Sequence, residues 1–373
     1  MSEVKSGAGW FRRLLLPGFA FKAVVIGGGY ATGRELAEFF LPNGAWGGVL
    51  GMLLAALLWS VVCSTTFLFA RATHSFDYRT FFKNLLGPFW GLFEVAYVLF
   101  MVVVLAVFGA AAGAIGHALF GLPVLVGTLL LVSLIAGFAT FGNESVEQLF
   151  KYVSFLLYGV YALFLVLALT RFGDRIGAAF AKPVIGPDWA LGGLSYAGYN
   201  IVGAVIILPV VRHMKSARDA VTAGMLAGPL AMAPALLFFL CMAAWPEVGA
   251  SALPSDVLLG KLGLPIVRLV FQVMIFCALL ESGTGIVHAV NQRIAGVLSG
   301  QGKALSRHLR LAVALVVLTG SVFLANRFGL VQLIASGYRL LAWAFLAVFV
   351  LPLLTLGVWR LRRRSPAVAP AHS

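Results

Sequence analysis

The chain has 373 residues, of which 61% are hydrophobic and 11% are charged, and its mean hydropathy is +1.00. A soluble domain carries about 25% charged residues, so this composition excludes an ordinary soluble domain and favours a protein that crosses a membrane several times. The formal charge of +14 at pH 7 would suit a nucleic-acid-binding protein only if the chain were soluble.

Apolar windows of about 20 residues predict an all-α polytopic membrane protein with ten transmembrane helices. The predicted spans lie at 15–40, 47–70, 86–118, 122–140, 145–170, 188–211, 219–245, 264–292, 307–325 and 329–359. Residues 1–14 form a predicted cytoplasmic amino-terminal tail, and residues 361–373 a basic cytoplasmic carboxyl-terminal tail.

The lysines and arginines are distributed unevenly between the two sides of these spans. If the amino terminus is cytoplasmic, 17 of them lie on the inside and 5 in outside loops, namely Arg171, Arg175, Lys182, Lys261 and Arg327. Positive residues concentrate on the cytoplasmic side of membrane proteins, so both termini are predicted to be cytoplasmic. The excess charge is then mainly a topology signal, and no nucleic-acid partner is predicted.

The first span contains a run of residues that is poor at forming helix. Residues 24–36 read VVIGGGYATGREL, in which Gly27, Gly28 and Gly29 precede Tyr30. Each glycine costs about 1 kcal/mol relative to alanine inside a helix, so we expect the helix to be interrupted here. Glycine is also common where membrane helices pack closely, but that role predicts a spacing like that of Gly109 and Gly113 instead of three consecutive glycines.

The residues after the glycines contain a helix-start pattern. Thr32 and Glu35 have the T-x-x-E spacing of a capping box, which predicts that a second half-helix begins at Thr32. Arg34 is then expected to reach toward the outer vestibule. Unpaired backbone N–H groups at this restart would suit a carboxylate, and exposed carbonyls around 25–28 would suit a cation.

The sixth span repeats the pattern of the first. It begins WALGGLSYAGYNIVGAVIILPVV, and its Gly198-Tyr199 corresponds to Gly29-Tyr30 at an offset of 169 residues, each pair being followed by a further glycine, Gly203 and Gly33. This offset divides ten spans into two halves, predicted at 15–171 and 184–360. Because each half has five spans, the second half must be inverted relative to the first.

Paired interruptions in two inverted halves predict a solute site near the middle of the membrane. Aromatic walls and an amide would recognise the polar groups of a small molecule. Tyr196 could equally be an interfacial tyrosine, and Asn200 could form a bond between helices. The predicted substrate-binding residues are Gly27, Gly28, Gly29, Tyr30, Thr32, Tyr196, Tyr199 and Asn200.

Ionisable residues within spans are candidates for ion or proton coupling. Lys151 of span five could carry a proton, with Glu281 of span eight as its counter-ion, or it could form a structural salt bridge or extend to the inner interface. His288 and Arg339 are predicted to be packing residues, and Glu94 has no predicted role. The six scattered histidines and the cysteines Cys63, Cys241 and Cys277 have no metal-site spacing, so no cofactor or metal is predicted beyond a possible sodium ion.

The stretches GGGYATGRELAEFF, SYAGYN and SGTGIVHAVNQRI resemble the bacterial YkvI-type membrane proteins. These are relatives of the amino acid–polyamine–organocation transporters, which share the LeuT fold. The resemblance covers roughly residues 15–360. It implies a five-plus-five inverted repeat with interrupted helices 1 and 6, in the cytoplasmic (inner) membrane of a bacterium.

The resemblance also implies positions for a coupling ion. In sodium-coupled relatives, carbonyls of span one and hydroxyls of span eight bind the ion, and the matching positions here are Val25, Gly28, Ser282 and Thr284. A proton-coupled relative places a span-five lysine there, which is similar to Lys151. Glu281, beside this position, is a departure from the sodium-coupled pattern.

The predicted function is secondary active transport of a small polar solute, an amino acid or an amine, driven by a proton or sodium gradient. Spans 1, 2, 6 and 7 are expected to move against the others. An enzyme would need a clustered nucleophile and base or metal ligands, which the sequence does not suggest. The alternative is a non-transporting membrane sensor or assembly subunit, which would tolerate loss of the interruptions. The predicted partners are the solute and the lipid bilayer, and no oligomeric state is predicted.

Overall fold

The structure is a computed structural model that describes residues 9–26, 28–141, 144–299 and 306–364, and every regular element in these ranges is helical. The α-helices are α1 (Leu16–Val25), α2 (Gly28–Ala31), α3 (Arg34–Phe39), α4 (Gly44–Thr73), α5 (Tyr78–Leu86), α6 (Trp90–Phe120), α7 (Val124–Phe141), α8 (Glu144–Phe180), α9 (Trp189–Asn200), α10 (Gly203–Ile206), α11 (Leu208–Val211), α12 (Ala217–Ala243), α13 (Pro254–Leu262), α14 (Pro265–Ser299), α15 (Arg307–Gln332), α16 (Arg339–Phe345) and α17 (Val358–Arg364). Tighter or wider helical turns occupy Phe11–Leu15, Leu41–Asn43, Gly87–Phe89, Pro246–Ala250, Leu333–Tyr338, Leu346–Val350 and Leu353–Gly357.

Five helical segments in the described part of the chain are long and apolar enough to cross a membrane. They are Arg34–Thr73, Tyr78–Phe120, Ala217–Ala243, Pro265–Ala295 and Arg307–Arg363. This supports a protein that crosses the membrane several times. The total of ten spans and the boundaries of the two halves stay predictions.

The long helices form two groups. In the first group α1, α4, α9 and α12 pack against one another, and in the second α6, α7, α14 and α15 do so. Helix α8 contacts both α12 and α14 and so lies between the groups. The first group corresponds to predicted spans 1, 2, 6 and 7, the set expected to move together.

The contact between α4 and α12 depends on small residues. A Cβ atom added at Gly224 would meet the backbone of Ser64, and one at Gly228 would meet the carbonyl oxygen of Ala56. The Ser60 hydroxyl donates to the carbonyl of Met225 across the same interface at 2.9 Å. Close approach with small residues and hydroxyl bonds is how helices associate in membranes, where burial of apolar surface contributes little.

Both predicted interruptions are confirmed. Helix α1 ends at Val25, Ile26 leaves helical geometry with ψ of 70°, and Gly33 has φ of +76° immediately before α3. In the sixth span α9 ends at Asn200, and only the single turns α10 and α11 follow. The two helices therefore stop where the glycine-containing patterns indicated.

The helix of the fifth span extends well beyond its predicted end. The fifth span was predicted to end at 170, whereas α8 continues to Phe180. The polar residues that end the apolar window do not prevent helix formation, and the first proline after them is Pro183. Hydropathy therefore marked the apolar part of this helix but not its end.

Candidate functional site

The residues flanking the two interruptions are buried together inside the bundle. Tyr30, Thr32, Tyr196, Tyr199 and Asn200 are each less than a tenth exposed. Unsatisfied or polar groups at this position within a membrane protein normally line a site rather than face lipid.

The glycine run is described only in part. Gly27 lies outside the described residues, and Gly28 and Gly29 are the first two residues of α2. Val25 is buried at the end of α1. Whether the glycines bind a solute stays a prediction.

Tyr30 connects the first interruption to the helix between the two groups. Its hydroxyl lies 2.9 Å from the hydroxyl of Tyr161 on α8. Both side chains are buried. Tyr161 was not among the predicted site residues, because a tyrosine within an apolar span carries no distinguishing pattern in the sequence.

The predicted capping box is wrong. The helix restarts at Arg34 after Gly33, and the Thr32 hydroxyl accepts from the N–H of Arg34 at 3.2 Å, not from that of Glu35. The Glu35 carboxylate instead accepts a hydrogen bond of 2.5 Å from the Tyr199 hydroxyl on α9. A buried partner from another helix has replaced the local interaction that the motif indicated.

Glu35 is therefore a candidate site residue that the sequence did not single out. Its side chain is 4% exposed, and its bond to Tyr199 joins the restart of the first broken helix to the end of α9. The rule that acidic residues within a membrane span are functional candidates could have found it, had the capping interpretation not accounted for its charge.

Beside this hydrogen bond, the Tyr199 ring packs with three other aromatic rings, and we call the four residues the aromatic cage: Phe39, Tyr196, Tyr199 and Tyr338. The Tyr199 ring stacks on Tyr338 with centroids 4.4 Å apart, and its centroid is 5.9 Å from that of Phe39 and 5.7 Å from that of Tyr196. Phe39 and Tyr338 were also not predicted. The cage combines residues from the first broken helix, the second broken helix and the tenth predicted span.

The polar atoms of α9 are not all satisfied. The hydroxyls of Ser195 and Tyr196 are buried without a hydrogen-bond partner in the described structure. The Asn200 amide donates to the carbonyl of Tyr196 at 3.1 Å, within its own helix. A ligand could therefore bond to Tyr196 directly, whereas Asn200 would have to give up its present bond.

The predicted ion-coupling residues lie on α14 and α8. Helix α14 packs against α2, so Ser282 and Thr284 are on a helix that contacts the first interruption. Thr284 is buried and its hydroxyl has no hydrogen-bond partner in the described structure, while Ser282 and Glu281 are partly exposed. Glu281 is engaged by a neighbouring group. Lys151 belongs to α8, but its side chain lies outside the described residues, so the coupling role of this set stays a prediction.

Arg34 was expected to reach toward an outer vestibule. Its side chain is instead held inside the protein. It is 5% exposed, and its guanidinium donates to the carbonyls of Gly249 at 2.5 Å and Ser251 at 2.9 Å. It also donates to Glu38 at 2.9 Å, and Arg339 lies 3.8 Å from the other oxygen of Glu38. Arg34 thus fastens the loop between α12 and α13 to α3.

We expect Arg34→Met to release this loop and to lower the free energy of unfolding by about 3–5 kcal/mol, because a buried ion pair loses one partner. In a background with Cys277→Ala, a Ser251→Cys variant should react faster with a membrane-impermeant thiol reagent when Arg34 is replaced. Thermal unfolding measures the stability change. Arg327→Met, at an exposed position, is the control, and equal effects of the two substitutions would contradict the assignment.

A second charged cluster lies on the other side of the second interruption. Arg293 forms a salt bridge of 3.2 Å with Glu94 and lies 4.3 Å from the ring centroids of both Tyr78 and Tyr97. A cavity of about 180 Å³ adjoins it, lined by Asp77, Tyr78, Phe93, Tyr97, Val205, Ile206 and Pro209. Glu94 therefore belongs to an ion pair.

His288 is exposed and contacts Gln292 at 3.2 Å.

Known proteins share this architecture. The structure of MhsT in complex with L-phenylalanine superposes with a TM-score of 0.57, at 15% identity over 93% of this chain and 96% of that one. The inward-facing conformation of Mhp1 superposes with a TM-score of 0.60, at 16% identity over 92% of this chain and 77% of that one. The chain has the LeuT fold.

The interrupted first and sixth helices are thus those of the LeuT fold, as the resemblance implied. An uncharacterized membrane protein of Bacillus subtilis, YkvI, is 23% identical over 331 residues, which cover 88% of this chain and 92% of YkvI. The predicted resemblance to YkvI-type proteins is confirmed, and the chain is a multi-pass membrane protein. No protein-family model matches it.

Proposed function

We propose that this protein is a secondary active transporter that binds a small polar solute, an amino acid or an amine, between its two interrupted helices. The observation that carries the proposal is a buried contact between the two interrupted helices. Glu35, just after the interruption of the first span, accepts a hydrogen bond from Tyr199, just before the interruption of the sixth span. A polar site between two broken helices of a LeuT-fold protein is the arrangement that secondary transporters use to hold solutes.

The LeuT-fold neighbours support this assignment. MhsT was solved with L-phenylalanine, and Mhp1 was solved in an inward-facing conformation. Here the residues at the interruptions are buried, so a solute can enter or leave only if helices move. Alternating movement of α1, α4, α9 and α12 against the second group would open the site to each side in turn.

The coupling ion, under this proposal, is sodium or a proton. Sodium would use the carbonyls near Val25 and Gly28 with the hydroxyls of Ser282 and Thr284. A proton would use Lys151 with Glu281. The protein would lie in the cytoplasmic membrane of a bacterium with both termini inside, and it would need no further cofactor.

Reconstitution into lipid vesicles tests the proposal. Labelled amino acids and amines are supplied under a proton gradient or a sodium gradient, and we expect at least one solute to accumulate above the level in empty vesicles under one gradient. Accumulation that Lys151→Ala removes only under the proton gradient would support proton coupling. Folded protein that moves no solute under either gradient would contradict transport and favour a sensor or assembly subunit.

A further inference from the structure

The Glu35 carboxylate is buried without a basic partner in the described part of the protein. It accepts a hydrogen bond from the neutral hydroxyl of Tyr199. The adjacent guanidinium of Arg34 is directed to the carbonyls of Gly249 and Ser251 and to Glu38. An ionised carboxylate without a compensating cation is strongly destabilised when it is removed from water, so the site favours a cation beside Glu35.

The groups around Glu35 are suited to an organic cation. The Tyr199 hydroxyl donates to the carboxylate, and the rings of Tyr196 and Tyr338 pack against that of Tyr199. These three tyrosines are neutral, and with Phe39 they form the aromatic cage. Aromatic rings attract ammonium groups most strongly where water is excluded, and the cage residues are at most 3% exposed.

The same position is unsuited to an anion. Glu35 lies in the first turn of α3, so its own negative charge occupies the region in which the sequence analysis expected backbone N–H groups to hold a solute carboxylate. Helix α3 has only six residues, and the Thr32 hydroxyl already takes the N–H of Arg34. A solute carboxylate here would face Glu35 across a medium that screens charge poorly.

We propose that the transported solute is an organic amine in its ammonium form, held in the aromatic cage with Glu35 as its counter-charge. This rests on the proposed transport function and names the class of solute. The ammonium would donate to Glu35 and to the hydroxyl of Tyr196, which is buried without a hydrogen-bond partner among the described residues. The hydrogen bond from Tyr199 would hold the carboxylate in position.

Equilibrium binding to the purified protein in detergent tests this inference separately from transport. Butylammonium, butyramide and butyrate share a carbon chain and differ in charge, and isothermal titration measures the affinity for each. We expect butylammonium to bind at least tenfold more tightly than butyramide, and butyrate to show no binding. Equal or tighter binding of butyrate would overturn the inference.

Variants of the cage supply the second part of the test. Glu35→Gln should weaken butylammonium binding at least tenfold, while Glu94→Gln, which removes a carboxylate from a different cluster, should leave the affinity unchanged. If Glu35→Gln fails to fold, Tyr338→Leu should still weaken binding and Tyr338→Phe should preserve it. Unchanged binding in Glu35→Gln, as expected if Glu35 only carried a proton, would overturn the inference.

The failures of the two proposals are distinguishable. Butylammonium that binds in a Glu35-dependent way but never accumulates in vesicles would contradict transport and leave the cation site standing. Accumulation of a neutral or anionic solute that is unaffected by Glu35→Gln would support transport and overturn the cation site.

Discussion

Gly33→Ala is expected to abolish most solute uptake and to lower the free energy of unfolding by about 2–4 kcal/mol, since backbone strain and overpacking combine. Gly33 has φ of +76°, and a Cβ atom there would lie 2.9 Å from a ring carbon of Phe238 and 3.3 Å from Pro254. Phe238 cannot withdraw easily, because it is fully buried against Tyr161 and Phe164. The restart of the first broken helix, and Glu35 with it, must therefore shift.

The matched control for this substitution is Gly263→Ala. Gly263 has φ of +68° at the end of α13, but an added Cβ atom would have no neighbour within 4 Å. The Gly263→Ala variant should lose only about 1–2 kcal/mol of unfolding free energy, the cost of backbone strain. Its solute uptake should be unchanged. Thermal unfolding in detergent and uptake into vesicles are the two measurements. Equal losses of uptake in both variants would contradict the claim that close packing against Phe238 and Pro254 makes Gly33 necessary for uptake.

Gly228→Val is expected to prevent stable assembly of the first helix group, at a cost of more than about 3 kcal/mol. The added atoms would collide with the carbonyl oxygen of Ala56 and the hydroxyl of Ser60, and backbone atoms within a helix cannot yield as a flexible side chain can. Helices α4 and α12 would have to separate along their length. Replacement of Gly228 would thus act on assembly of the helix group, whereas replacement of Gly33 would also displace Glu35.

Purified yield and melting temperature measure this effect. Gly320→Val is the control, because Gly320 is exposed on α15 and an added Cβ atom would have no neighbour within 4 Å. This control should differ from the unmodified protein only by the small helix preference of valine. A melting temperature for Gly228→Val equal to that of the control would mean that α4 and α12 do not pack as described.

The adjacent residues Arg34 and Glu35 give α3 two attachments. Arg34 holds the loop carbonyls of Gly249 and Ser251, and Glu35 holds Tyr199 at the end of α9. Because both belong to one short helix, movement of the loop away from α3 and rearrangement of the proposed solute site would be mechanically connected.

Several features of this protein were determined by the sequence alone, because they depend on local physical properties. The excess of apolar residues required a membrane environment, and the glycine run at 27–29 weakened the first helix whatever its surroundings. The match in pattern between Gly29-Tyr30 and Gly198-Tyr199 located both interruptions correctly. The resemblance in three short stretches identified the LeuT fold that the superpositions confirm.

The partners of the charged and aromatic side chains were decided only by the tertiary structure. Thr32 and Glu35 have the spacing of a capping box, yet Glu35 bonds to a tyrosine 164 positions away, and Arg34 bonds to carbonyls more than 200 positions away. Tyr338 joins the aromatic cage from a span with no motif. A local motif indicates which hydrogen bonds a side chain can form. A buried polar side chain, however, must be hydrogen-bonded or paired to offset its removal from water, and helix packing places its partner on a distant part of the chain.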